Sequence, residues 1–394
     1  MLTTVFQKTI KLIIFNIQKI LLIHSYYLFK IFLKRKSNSL DWAIGVNEVA
    51  ALVHNISSGF GNATSVSFSA HPFYSYSYDY MLPAKIHLKL LQYLVRVIYG
   101  PILLGYLCQR VKGFFYIGGA GFLLSELDGR EWEFQFLKDK GLRLSCFFVG
   151  SEIRSIKLMN SIAALLERDM TSTYFPLVFS QFKLDEEEKS RLMLADSADK
   201  FANHVFNAPV DQISYLKKTV HPLMYFQPKK SFIRNDEKFN NIQNIKVLHA
   251  PSSPLLKGTP LVRAAVKKLK LEGFNFDYVE LIRVEHSEVL KQLSGAHIVL
   301  NEFYALTPGV FGVEAMAAHC AVMTSADANI ETSLPTGANS AWMVTEYWNI
   351  YDNLRRLLND RRLIKKYADS GFLWAEEFCT SEKNQILIKK ILNS

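Results

Sequence analysis

The apolar and polar positions change period several times along the chain. Residues 1–36 are apolar with lysines at intervals, which predicts one long helix lying along an interface. From residue 41 onward, short apolar or aromatic runs alternate with longer helical stretches. The runs at 64–68, 114–117, 144–149, 245–250, 276–281, 297–300 and 321–324 have strand length and end in glycine, proline or polar turns. Near-continuous apolar runs of this kind are the mark of strands covered on both faces. Strands alternating with helices predict doubly wound parallel sheets. A basic helix is expected over residues 86–98, stopped by Gly100–Pro101, and a single last helix over 373–391.

The clearest unit is strand, turn, helix, strand over residues 298–324. Thr307–Pro308–Gly309 is the turn, and Val310, Phe311, Gly312 and Glu314 follow at the helix entrance. In an open parallel sheet, ligands bind beyond the carboxyl ends of the strands, at turns like this one. Free N–H groups at the helix start suit a diphosphate. Glu314 either favours its own helix start or accepts hydrogen bonds from sugar or ribose hydroxyls. A second corner follows the strand at 245–250, where Ser253, Lys257 and Gly258 precede a basic amphipathic helix at 260–270. Lys257 is there either a solvated loop lysine or an anion ligand.

Two further loops follow strands in the first half. Gly118–Gly119–Ala120–Gly121 is either a tight turn or a place where a ligand approaches the backbone. Gly150, Glu152 and Arg154 form the next corner, either as acceptor or phosphate contacts or as a local ion pair. The aromatic run 71–80 either stacks on sugars or packs as a surface loop.

Composition narrows the class. The chain has 394 residues, 49% hydrophobic and 21% charged, enough for two folded domains. Four separated cysteines without a CxxC spacing point to buried thiols in a reducing compartment and to no zinc site. The net charge is +10, and Lys8, Lys11, Lys19, Lys30, Lys34, Arg35 and Lys36 fall in residues 1–40 with no acid among them. A second acid-free span, residues 80–125, holds Lys85, Lys89, Arg96, Arg110 and Lys112. Basic charge among aliphatic and aromatic residues suits an anionic membrane surface. No nucleic-acid-binding signature accompanies it, so nucleic acid is not an expected partner. The window 12–29 contains Asn16, Gln18, Lys19 and His24, which favours an in-plane helix over a spanning one.

The stretch His249–Ala250–Pro251–Ser252–Ser253–Pro254, then Lys257–Gly258, then Gly309–Val310–Phe311–Gly312–Val313–Glu314–Ala315–Met316–Ala317 resembles retaining glycosyltransferases of family 4, the group 1 glycosyl transferases. The resemblance covers roughly residues 246–378 well and 41–228 more weakly. It implies an α/β fold of two facing Rossmann-like domains, the GT-B arrangement, behind an N-terminal basic amphipathic membrane-associating helix. The expected division is a membrane-associating segment 1–40, an acceptor domain 41–228, a linker 229–244, a nucleotide-sugar domain 245–371, and a helix 372–394 packing back on the first domain.

The resemblance also implies glycosyl transfer, with retention, from a nucleotide-diphosphate sugar to a glycan or lipid-linked acceptor. Capsule, O-antigen or exopolysaccharide assembly at the cytoplasmic face of the cell membrane is the expected setting. No cofactor and no metal are expected, and the sequence has no Asp-x-Asp element to hold a metal diphosphate. Lys257 and Glu314 are the expected catalytic pair. Ser253, Gly258, Gly309, Val310, Phe311 and Gly312 complete the expected donor site, and Gly119, Gly121, Gly150, Glu152 and Arg154 the acceptor side. Three positions depart from the family pattern: Val149 replaces a histidine, Leu306 replaces a first glutamate, and Pro251 and Ser252 stand where an arginine is common. The main alternative is a non-catalytic relative that supports a partner transferase; a second is a sugar-nucleotide epimerase of the same architecture, against which the basic membrane face argues.

Overall fold

The computed structural model describes residues 2–33, 40–68, 76–82, 89–179, 183–240, 242 and 244–394. The chain opens with helix α1 (Leu2–Phe32), followed by β1 (Leu40–Val46), α2 (Leu52–Ser57), β2 (Ala63–Ser67), β3 (Tyr80–Met81), α3 (Lys89–Leu107) and β4 (Val111–Ile117). Then come α4 (Glu131–Asp139), β5 (Arg143–Phe147), α5 (Ile156–Leu165), α6 (Thr171–Val178), α7 (Leu184–Phe201) and β6 (His204–Phe206). The strands form a six-stranded parallel sheet in the order β3-β2-β1-β4-β5-β6.

A second parallel sheet is built from β7 (Ile245–His249), α8 (Thr259–Leu271), β8 (Phe276–Glu280), α9 (His286–Ser294), β9 (Ile298–Leu300), α10 (Gly309–Ala317), β10 (Ala321–Thr324), α11 (Ala338–Ala341) and β11 (Met343–Val344). Its order is β11-β10-β9-β7-β8. Helices α12 (Ile350–Asn359), α13 (Arg361–Phe378) and α14 (Ser381–Leu392) close the chain. The apolar runs are buried on both sheet faces: Val247, Leu248, Ile298, Val299, Leu300, Val322 and Met323 have no exposed surface. The two-domain α/β expectation is met.

Two local expectations are corrected. Helix α3 runs through Pro101 instead of stopping there. Proline removes an N–H and frees the carbonyl four residues earlier. That carbonyl, Val97 O, accepts a bond from Gln18 Nε2 of α1 at 3.0 Å, while Gln18 Oε1 accepts from Leu124 N at 2.9 Å. Ser25 Oγ donates to Pro101 O at 3.3 Å. The first helix thus completes the third.

The expected last helix is also two helices, broken at Cys379–Thr380, where Gln227 N donates to Cys379 O and Ser381 N to Gln227 O. Helix α14 does pack on the first domain: Gln385 Nε2 donates to Asn55 O at 2.6 Å, and Ile388 and Leu392 join the core beneath β1 and β4.

The segment after residue 228 is held to the second domain, with Ile233 N donating to Ala317 O and Asn235 N to His319 Nδ1. Residues 71–75 of the aromatic run at 71–80 lie outside the described residues. Of the rest, Tyr76 stacks on His54 at 4.0 Å, and Tyr78 donates to Glu48 at 2.7 Å.

Candidate active site

The chain passes from β7 outward to β8 and then returns to β9 on β7's other side. That reversal is a topological switch point, where open parallel sheets leave a crevice beyond their carboxyl ends. A cavity of about 270 Å3 sits there. Its walls come from the loop after β7 (Ala250, Pro251, Ser252, Lys257), the loop after β8 (Leu281, Arg283, Val284), α9 (His286, Val289), the end of β9 (Asn301, Glu302), and α10 (Gly309, Val310, Phe311, Glu314). Ala50 of the first domain closes it from across the cleft.

Local sequence explains how the corner is held. His249 ends β7 fully buried. A carbonyl can only accept, so Nδ1 donates to Leu300 O at 2.7 Å, and Nε2 accepts from the Thr259 hydroxyl at 2.8 Å. One neutral imidazole therefore ties β7, β9 and the start of α8 together. Burial pushes its pKa down to about 4, which keeps it neutral. Gly258 has φ 78°, the left-handed turn that lets Lys257 face the cavity while α8 starts beside it. Gly309 has φ 63° and opens α10; a Cβ there would lie 2.6 Å from Glu302 Oε1.

The structure brings Lys257, Gly309, Val310, Phe311 and Glu314 together around one cavity. Ser253, Gly258 and Gly312 do not line it. Ser253 O caps the turn by accepting from Lys257 N at 3.1 Å, and Gly312 packs against Asn301, whose Nδ2 would be 2.8 Å from an added Cβ. The Glu314 carboxylate Oε1 accepts from His286 Nε2 at 2.7 Å. Lys257 is ion-paired with Glu302, whose side chain is 7% exposed.

Glu302, His286, Arg283 and Ala50 were not singled out by the sequence. Glu302 lies at the strand end in the same stretch as Glu314, which was the available signal. His286 and Arg283 come from a loop with no pattern of its own. Leu306, at the position of the family's first glutamate, is fully buried in a cluster with Met159 and Met170 and does not line the cavity.

The five residues expected on the acceptor side do not line this cavity. Gly119 packs against Glu152, and Gly121 against the buried Glu133 carboxylate, which accepts from the amides of Phe122 and Leu123. Glu152 accepts from Val149 N at 2.6 Å. Gly150, with φ 147°, begins the turn that carries Arg154. Arg154 donates to Asp211 twice, Nε to the carbonyl at 2.6 Å and a terminal nitrogen to the carboxylate at 2.8 Å. Arg154 is therefore in an ion pair, but with the distant Asp211 and not with Glu152 of its own corner.

A different group, Asp236, His319 and Asp369, has metal-ligand spacing. Its carboxylates are already met by Arg234 and Lys365 at 2.7–3.0 Å.

Two parallel-sheet Rossmann-like domains facing each other across a cleft define the GT-B class of fold, behind an apolar N-terminal helix. The fold is similar to that of sucrose-phosphate synthase from Thermosynechococcus elongatus, with TM-score 0.59 and 11% identity over 89% of this chain and 98% of that one. It is similar to WaaG, a glycosyltransferase involved in lipopolysaccharide biosynthesis, with TM-score 0.52 and 11% identity over 88% of this chain and 99% of that one. It is also similar to S. aureus MnaA in a structure with UDP, with TM-score 0.51 and 12% identity over 90% of this chain and 96% of that one. No protein-family model and no curated protein sequence matches the chain.

Proposed function

We propose that this chain is a glycosyltransferase that takes a sugar from a nucleotide-diphosphate sugar and passes it, with retention, to a glycan or lipid-linked acceptor. The observation that carries the reading is the cavity at the switch point, where Lys257, the first turn of α10 and Glu314 face one space. Lys257, Arg283 and the α10 N-terminus meet the diphosphate's charge as it departs. Glu314, steadied by His286, accepts hydrogen bonds from ribose or donor-sugar hydroxyls. The reading assigns the chemistry to protein charge without a metal, with Lys257 and Arg283 as the cations on the cavity wall.

The setting we propose is cell-surface polysaccharide assembly at the cytoplasmic face of the membrane, with capsule, O-antigen or exopolysaccharide as the product class. Helix α1 supports it. Thr9–Phe32 is long and apolar enough to cross a membrane. Yet Phe15, Gln18, Leu22 and Ser25 are buried against the first domain, while Leu12, Ile13, Ile17, Ile20, Leu28, Ile31 and Phe32 are exposed. One face bound to protein and one exposed apolar face fit an in-plane helix.

The test is calorimetry with UDP, GDP and ADP, followed by a panel of nucleotide sugars scored for hydrolysis and for the configuration of the released sugar. Tight binding without turnover by any donor would favour a non-catalytic relative. Absence of all binding by folded protein would end the nucleotide reading.

A further inference from the structure

The phosphate corner already contains an anion. Glu302 is anchored by its backbone: its carbonyl accepts from Ser325 N and from Thr324 Oγ1, both at 3.0 Å. Its side chain therefore has a fixed root beside α10. One carboxylate oxygen holds Lys257 Nζ, and the other lies against Gly309, the first residue of α10. The first is the cation an incoming phosphate would claim, and the second puts negative charge beside the start of α10, where the Gly309 N–H donates to the Tyr225 hydroxyl at 3.2 Å. The remaining charged groups on the wall are Glu314, already paired with His286, and Arg283, which is exposed and has no ion-pair partner among the described residues.

We propose that Glu302 is a specificity-determining residue that acts as a resident competitor for the phosphate seat. It holds Lys257 until a ligand phosphate arrives and then yields it. This rests on the nucleotide-diphosphate reading for its ligand, but the phosphate seat can be probed without a nucleoside. A phosphate entering beside an unmoved buried carboxylate meets like-charge repulsion. Binding therefore requires Glu302 to turn from Lys257, and the lost Lys257–Glu302 pairing is subtracted from the affinity. Ligands that bring two phosphates repay that loss better than ligands that bring one.

The experiment is calorimetry on the full chain with inorganic pyrophosphate and with UDP, using wild type, Glu302→Gln, Lys257→Ala and the double variant, with melting curves for each. Glu302→Gln should bind both probes about tenfold more tightly, and Lys257→Ala more weakly. In the Lys257→Ala background the Glu302 substitution should regain less than it gives the wild type, because no lysine is left to release and only the like-charge repulsion is relieved. Should Glu302→Gln fail to fold, Glu302→Asp, which draws the carboxylate back from Lys257, should show the same direction. Weaker or unchanged binding in the folded Glu302 variants would overturn the proposal, with weaker binding marking Glu302 as a ligand contact. A gain for pyrophosphate with no added affinity from the uridine would uphold the competitor and end the nucleotide reading. UDP binding by wild type with no gain in the variant would do the reverse. No binding of either probe by any folded variant would overturn both.

Discussion

His249 shows how much a single buried side chain can be asked to hold. Folded, it stays neutral down to about pH 4; unfolded, a histidine takes its proton near pH 6.5. As pH falls from about 6.5 to about 4 the unfolded chain gains a proton that the folded chain refuses. Stability should therefore fall by up to about 1.4 kcal/mol per pH unit from this group, and be unaffected by it above that window. Comparing urea unfolding of wild type and His249→Gln between pH 4 and 7 checks this: the variant should be less stable at pH 7 and have the shallower slope.

The cavity pair makes a second residue-level expectation. Lys257→Ala should lower turnover about 100-fold or more, the scale for losing one preorganised donor. It should also lower the melting temperature, because Glu302 loses its partner. Glu314→Gln should weaken nucleotide binding about tenfold as well as turnover. Single-turnover rates and nucleotide affinity for both variants, set beside their melting curves, separate the two roles. Lys257 and Glu314 were readable because each stands at a helix entrance after a strand. Arg154 was legible as a corner residue, and only its partner Asp211, 57 positions away, makes it structural.

At the scale of elements, α1 and α3 form one unit. Gln18 satisfies two main-chain groups, Val97 O and Leu124 N. Gln18→Leu would leave both unpaired in a buried place, and each costs about 1–3 kcal/mol. The expected result is a loss of about 2 kcal/mol or more in chemical denaturation, with α3 the first segment to lose amide protection in hydrogen exchange. Pro101 read as a helix stop because local chemistry says so, and the correction needed a donor from another helix 79 residues earlier than Val97. The exposed side of α1 makes the membrane expectation concrete. Deleting residues 1–33 should abolish vesicle binding, and high salt should weaken binding by the intact chain, since each surface lysine adds about 1 kcal/mol. Because the deletion also bares α3, binding is best compared with Ile13→Lys and Ile20→Lys in the full chain.

For the whole molecule, Asp211 ties the two domains together. It pairs with Arg154 of its own domain at 2.8 Å and accepts from Leu306 N of the other at 2.6 Å. Its own amide and that of Val210 donate to Glu331 at 2.7 and 2.9 Å. Met159, Met170 and Leu306 fill the space behind, and Arg168 pairs with Glu346 across the same boundary at 2.5 Å. Asp211→Ala leaves the part-buried Arg154 guanidinium without its carboxylate and the Leu306 amide without its acceptor, and a lost buried partner of this kind costs about 1–3 kcal/mol. The variant should melt earlier and scatter X-rays as a more open particle. Unchanged scattering would show that the apolar contact alone keeps the domains closed.

What the sequence determined by itself was the set of buried strands, the helices between them and the glycine turns at their ends, because period, apolar runs and turn residues act over a few positions. That sufficed for two doubly wound domains and for placing Lys257 and Glu314 near a ligand corner. Tertiary structure alone decided that Glu302 meets Lys257, that His286 meets Glu314, that Leu306 turns inward and that Arg154 serves Asp211. Those pairings join residues dozens of positions apart, and side-chain partners at that range are chosen by how the sheets and loops pack, which no local pattern encodes.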